Sequence, residues 1–125
     1  MSLSVLHAGL ANTCTIFSLL IAGYGFWLFF RRQSITGSFL GVLAIGQLLY
    51  MAQMIIGVVL LAGGAQPASQ RGWIHYLYGV VLVIALPGLY AYTRGRDTRR
   101  EALLYALLGL FLAGISLRAV TTALP

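Results

Sequence analysis

Four long runs of apolar residues, separated by short charged or turn-rich segments, dominate the hydrophobic pattern of this 125-residue chain. Each run reaches the length of about 20 residues that a helix needs to cross a hydrocarbon core of ~30 Å. None has the polar outer face of a helix in a soluble bundle. The pattern therefore predicts one all-α domain over residues 1–125, an integral membrane protein with four transmembrane helices in an up-down bundle. The predicted helices cover residues 5–30, 38–62, 73–92 and 99–120.

Small residues at helical spacing predict which faces of these helices pack together. Lipid tails are as apolar as leucine, so membrane helices associate where small side chains let their backbones approach closely. A tight bundle and a subunit interface would both produce such faces. The positions are Ser4, Ala8, Ala11, Thr15, Ser18, Ala22 and Gly25 on the first helix, Ala102, Ala106, Gly109, Ala113 and Ser116 on the fourth, and on the second the pair Gly37 and Gly41 followed by Gly46, Tyr50, Gln53 and Gly57.

The acidic residues cluster where the fourth helix is expected to begin. Thr98 and Glu101 have the T-x-x-E spacing of a capping box, in which the two side chains satisfy backbone groups at a helix start. Asp97 and Glu101 are the only acidic residues in the sequence. Negative charge is favourable at the start of a helix, because the helix dipole is positive there. We therefore expect the helix to start near Arg99, with no carboxylate left inside the membrane.

Charge predicts how the helices are oriented. Hydrophobic residues make up 60% of the chain and charged residues 8%, so we attribute the net charge of +6 to membrane topology and not to nucleic-acid binding. Cytoplasmic loops of membrane proteins carry an excess of arginine and lysine. Both hairpin tips are therefore expected in the cytoplasm of a bacterial-type inner membrane, with both termini and Gln66 external. Six arginines occupy the first and third loops, Arg31, Arg32, Arg94, Arg96, Arg99 and Arg100, against Arg71 and Arg118 on the other side.

The basic loops are also expected to attract anionic lipid headgroups. A cleavable signal peptide needs a positively charged start, and residues 1–9 contain no lysine or arginine, so the first helix is expected to be retained. Cys14 is the single cysteine, which excludes an internal disulfide. The sequence offers no paired carboxylates, no nucleophile beside a base and no cluster of metal ligands, so we predict no enzymatic activity of its own.

The segment WIHYLYG, which begins at Trp73, contains one of the two histidines. Tryptophan and tyrosine concentrate where helices cross the membrane interface, and this explains the segment without any ligand. The alternative is that His75 and His7, both at external helix ends, bind a haem iron or another tetrapyrrole from opposite faces. Against it, His7 is 24 residues from Arg31 and His75 is 19 residues from Arg94, which predicts that His7 lies about 7 Å farther out at ~1.5 Å per residue.

Other polar residues suggest further contacts. A quinone or lipid could form hydrogen bonds with His75, Tyr76 or Tyr78 at the outer interface. Arg118 lies near the external surface, where it could contact a lipid phosphate, the C-terminal carboxylate, a cofactor propionate or an acidic residue of another subunit. Gln47 and Gln53 lie within the second helix, where amides commonly form hydrogen bonds between helices.

These observations predict a small, non-catalytic accessory or structural subunit of a larger inner-membrane complex, expected to be of the electron-transfer or energy-transducing kind. Its partners would be other membrane subunits and bound lipids, and no cofactor is firmly indicated. One alternative is a protein that binds haem b, or a quinone, through His7 and His75. A second alternative is a small dimeric ion channel or transporter.

Overall fold

Four α-helices make up most of the described chain in the computed structural model, which covers residues 3–64 and 72–123. All four are long and apolar enough to span a membrane, and the described residues form no strand. The prediction of an all-helical chain with four potential transmembrane helices is confirmed. Gln66 and Arg71 lie outside the described residues, as does the side chain of Trp73. The helices are α1 (Leu3–Phe30), α2 (Gly37–Ala62), α3 (Gly72–Thr93) and α4 (Arg99–Ala123).

The helices pack as a ring. α1 contacts α2 and α4, and α3 also contacts α2 and α4. α1 and α3 therefore face each other diagonally across the bundle. The contact between α1 and α4 is the most extensive of the four, and that between α2 and α3 is the least extensive.

Small residues bring the backbones of α1 and α4 together. A Cβ atom added to Gly109 would lie 2.8 Å from the backbone nitrogen of Ala22 and 2.9 Å from the carbonyl oxygen of Ser18. One added to Gly25 would lie 2.9 Å from the carbonyl oxygen of Ala102. Only glycine fits at these two positions, because the atoms in the way belong to the neighbouring backbone.

The predicted small-residue stripes account for this interface. On α1 the stripe is buried from Ser18 to Gly25, whereas Ser4 and Ala8 at the start of the helix are exposed. Between the two regions, the Thr15 hydroxyl donates a hydrogen bond of 2.7 Å to Ser116 Oγ on α4. All five stripe positions on α4 are buried, namely Ala102, Ala106, Gly109, Ala113 and Ser116.

A proline in α3 frees a carbonyl group that α2 satisfies. Pro87 lies within α3 and has no backbone N–H, so the carbonyl of Val83, four residues earlier, lacks its helical donor. Gln47 Nε2 donates a hydrogen bond of 2.8 Å to this Val83 oxygen. The predicted role of Gln47 in bonding two helices together is confirmed, and its position opposite Pro87 explains why an amide is needed there.

A buried carboxylate in the first turn of α4 is paired with an exposed arginine of the preceding loop. α4 begins at Arg99, as predicted. Thr98 and Glu101 interact through their side chains, since the Thr98 hydroxyl donates to the Glu101 carboxylate. Arg96 Nε donates a second hydrogen bond to Glu101 at 3.0 Å, and the Glu101 side chain is only 3% exposed. The carboxylate is thus paired with Arg96 as well as being placed at a helix start.

The two arginine-rich loops lie at the same end of the bundle. The backbone N–H of Ile35, in the first loop, donates a hydrogen bond of 2.8 Å to the carbonyl of Asp97 in the third loop. Arg99 Nε donates to the carbonyl of Phe29 at 2.6 Å, and its guanidinium lies 3.9 Å above the Phe29 ring. These contacts fix the loop end, and the two histidines lie at the opposite end, near the N-termini of α1 and α3.

Candidate functional site

The two histidines of the chain meet across the bundle. His7 on α1 and His75 on α3 have ring centroids 6.3 Å apart, with their planes at 70° to each other. α1 and α3 lie diagonally opposite each other in the bundle. The two imidazole rings therefore approach each other across its interior. The sequence predicted an offset of about 7 Å between the two residues along the membrane normal. In the structure the two rings nevertheless lie close together.

The ring of His75 is oriented by α4. Its Nδ1 atom lies 2.7 Å from the carbonyl oxygen of Ala119. A carbonyl oxygen can only accept a hydrogen bond, so Nδ1 carries the proton and donates. In neutral histidine this leaves Nε2 with an unshared electron pair. Histidines that bind metals commonly have this arrangement, in which a backbone carbonyl fixes the ring and the other nitrogen is the ligand.

The ring of His7 packs against a glycine of α2. A Cβ atom added to Gly57 would lie 3.2 Å from His7 Cε1, which is tighter than an ordinary contact. The absence of a side chain at Gly57 therefore makes room for the imidazole. Gln53, one turn earlier on α2, donates from Nε2 to the carbonyl oxygen of His7 at 2.7 Å. Gln53 thus links α2 to α1.

Residues from all four helices therefore form this end of the bundle, which we call the histidine site: His7, Gln53, Gly57, His75 and the carbonyl of Ala119. Both rings are half-buried. His7 Nδ1 is buried and has no hydrogen-bond partner. The site thus holds two imidazoles, of which one is fixed by a backbone carbonyl and the other keeps an unpaired ring nitrogen.

Three other predicted site residues lie around this site. Tyr76 is exposed, and its ring centroid is 6.1 Å from that of His75. Tyr78 is half-buried and packs against the hydrophobic core. Arg118, next to Ala119 on α4, is exposed and has an interaction partner.

The predicted packing residues fall into two groups. Gly46 packs against Phe17 and Ile21 of α1, so it belongs to the interface within the chain together with Gln53, Gly57 and Gly109. Gly37 and Gly41 differ, because a Cβ atom at either position would meet nothing within 4 Å. No described residue packs against the face that carries these two glycines.

The number of possible ligands restricts what the histidine site could bind. Among the described residues, no group of three or more His, Cys, Asp or Glu side chains could hold a metal ion. A structural zinc ion takes four protein ligands and a catalytic one takes three. Two imidazoles alone are insufficient for either, but two would be enough to hold a metal that a macrocycle already coordinates.

The spacing of the rings is compatible with such a metal. Bonds from a metal to imidazole nitrogen are about 2 Å long, so a metal bound by two opposed imidazoles separates their ring centroids by roughly 6 Å. The observed separation of 6.3 Å is close to this value. The chemistry of the donors and the separation of the ring centroids are therefore both compatible with two histidines that would bind a tetrapyrrole metal.

Comparison with known proteins provides no independent indication of function. No protein-family model matches the chain, and no curated protein or solved structure is significantly similar to it.

Proposed function

We propose that this chain is a membrane-embedded electron-transfer protein that binds haem b through His7 and His75. The observation that carries the proposal is the meeting of these two imidazoles, 6.3 Å apart, from diagonal helices of an apolar bundle. His75 would bind through Nε2, since its Nδ1 donates to Ala119. His7 would bind from the opposite side, in the space beside Gly57.

Haem iron with two axial histidines supplies one-electron redox chemistry. The Ala119 carbonyl would orient the imidazole of His75, and the packing against Gly57 would orient that of His7. The apolar helices around both rings would limit the access of water. Two histidines bound to the iron would leave no position open for a substrate.

An electron carrier of this kind needs protein partners that supply and remove electrons. We therefore propose that it works as a small subunit of a larger inner-membrane complex. The exposed face at Gly37 and Gly41 supports this, since small residues allow another helix to approach closely.

The test is an absorption spectrum of the protein purified in mild detergent from its native membranes. We expect a reducible b-type spectrum, which disappears in both His7→Ala and His75→Ala because each variant removes one axial ligand. Unlike subunits should be present in the same preparation.

Asn12→Ala is a suitable control, because Asn12 is exposed on the same helix as His7 and should not affect the spectrum. All variants should keep their helical circular dichroism. A colourless wild-type preparation that remains folded, with haem available during expression, would contradict the proposal.

We further propose that the four helices cross the inner membrane as an up-down bundle with both termini external. The loop contact between Ile35 and Asp97 supports a common side for the two arginine-rich loops, and the positive-inside tendency makes that side cytoplasmic.

This topology predicts the labelling of engineered cysteines in intact cells. A membrane-impermeant thiol reagent should label Gln66→Cys from outside, whereas Arg31→Cys and Arg96→Cys should react only after the cells are opened. The native Cys14 is buried and provides the unlabelled background. Preferential external labelling of Arg96→Cys would reverse the proposed orientation.

A further inference from the structure

A surface groove lies between α2 and α3, in the half of the bundle nearer the arginine-rich loops. The contact between these two helices is the least extensive of the four. The groove has a volume of about 220 Å³. Its floor is buried, whereas its walls are exposed on the outer surface of the bundle. The floor is formed by Leu43, Leu86 and Tyr105, and the walls include Ala44, Pro87 and Tyr90.

The size and polarity of the groove suit a lipid acyl chain. Pockets that enclose a drug-sized ligand have volumes of about 300–1,000 Å³, so this groove can hold only part of a molecule that lies along it. Apart from Gln47 and two tyrosines, the side chains that line it are apolar. In a bundle that spans a bilayer, the exposed walls face the hydrocarbon region. A chain can therefore enter from the side without leaving the apolar phase.

An arginine lies at the loop end of the groove. Arg94 is the first residue after α3, one helical turn beyond Tyr90. The backbone N–H of Gly95 donates a hydrogen bond of 3.1 Å to the carbonyl of Tyr90. A Cβ atom added to Gly95 would lie 3.0 Å from the Tyr90 hydroxyl oxygen. The side chain of Tyr90 therefore extends from the groove to the loop that carries Arg94.

Arg94 adopts a backbone conformation that favours glycine. Its φ angle is 54°, which is costly for a residue with a Cβ atom and costs glycine nothing. Arg96 pairs with Glu101, and Arg99 stacks on Phe29. Within residues 3–64 and 72–123, no hydrogen bond, ion pair or aromatic ring engages the guanidinium of Arg94. Strained residues cluster at ligand sites, so an arginine here points to a ligand outside the chain.

We propose that the groove and Arg94 form a binding site for one anionic phospholipid of the leaflet around the arginine-rich end. The guanidinium of Arg94 would bind the phosphate, and an acyl chain would lie between α2 and α3. Guanidinium groups bind phosphate through two parallel hydrogen bonds. In the proposed topology this leaflet is the cytoplasmic one, which is negatively charged. The site lies at the opposite end of the bundle from the histidine site and does not depend on haem.

The test is native mass spectrometry of the protein in a neutral detergent, titrated with phosphatidylglycerol or with phosphatidylcholine of the same acyl chains. We expect the wild type to retain one phosphatidylglycerol and to bind it more tightly than phosphatidylcholine. Arg94→Gly should weaken phosphatidylglycerol binding about five-fold, which is the contribution of one basic residue near an anionic surface. Because glycine suits the φ angle at this position, the variant should be at least as stable as the wild type in denaturing detergent.

Arg32→Gly is the matched control. Arg32 follows the end of α1, is exposed and has a φ angle of 55°, but α1 contributes no residue to the groove. The substitution removes the same charge and the same strain, so phosphatidylglycerol affinity should stay at the wild-type value. Equal weakening by Arg32→Gly and Arg94→Gly would mean that binding follows net charge alone, and it would overturn the site. No preference of the wild type for phosphatidylglycerol would also overturn it.

Ala44→Leu tests the groove without a change of charge. The larger side chain would fill part of the groove, so binding of both lipids should weaken. Ala62→Leu adds the same bulk at an exposed position near the other end of α2 and should alter neither affinity. Unchanged lipid binding in Ala44→Leu would contradict the proposal. A folded wild type that binds no haem would overturn the proposed function and leave this inference standing.

Discussion

Gly109→Leu is expected to prevent the native packing of α1 and α4. The first atom of the new side chain would lie 2.8 Å from the backbone nitrogen of Ala22, and backbone atoms cannot move aside as a flexible side chain can. Overpacking a core typically costs about 1–3 kcal/mol and more where the neighbours are rigid. We expect a loss above that range, because this helix pair forms the most extensive contact of the bundle. Titration of the purified protein with a denaturing detergent, followed by circular dichroism, would measure it.

Gly114→Leu is the control for this experiment. Gly114 is on the same helix, but a Cβ atom there meets nothing within 4 Å. Leucine should be tolerated at this position, and it is a better helix former than glycine. Equal destabilisation by both variants would show that the α1–α4 interface is not formed as described.

Much of this fold could be predicted from the sequence. The helix lengths follow from the apolar runs, and Thr98 and Glu101 correctly marked the start of α4 at Arg99. The small-residue stripe of α4 is buried along its whole length. These features depend on composition and helical periodicity, which are properties of a single segment.

The arrangement of the candidate site could be predicted only in part. Both histidines were identified, but counting residues to the nearest arginines suggested that they were poorly matched in depth. Such a count assumes that the helices are parallel and that Arg31 and Arg94 lie in one plane. The position of a ring also depends on helix tilt and on side-chain direction, which no single helix determines.

Contacts between helices also escaped the sequence analysis. Gly57 was recognised as a packing residue, yet nothing in its own segment shows that it faces His7. The backbone carbonyl of Ala119 carries no sequence signal at all. The pairing of Arg96 with Glu101 was likewise missed, because the helix start alone gave a sufficient reason for the carboxylate.

The second prediction concerns the bond between α2 and α3. Gln47→Leu should destabilise the protein by about 1–2 kcal/mol, because it leaves the carbonyl of Val83 without a donor in apolar surroundings. The effect should depend on Pro87. In Pro87→Ala, residue 87 has an N–H that can bond the Val83 carbonyl, so the amide of Gln47 is no longer required.

The four proteins of this double-mutant cycle are the wild type, Gln47→Leu, Pro87→Ala and the double variant, and their unfolding would be measured in the same denaturing detergent. We expect the cost of Gln47→Leu to fall to near zero in the Pro87→Ala background, which gives a coupling energy of about 1 kcal/mol or more. Gln47→Met provides a check, since its thioether is of similar size but has no donor for the carbonyl of Val83. An equal cost of Gln47→Leu in both backgrounds would mean that Gln47 stabilises the bundle through its packing, and that the carbonyl freed by Pro87 is satisfied in some other way.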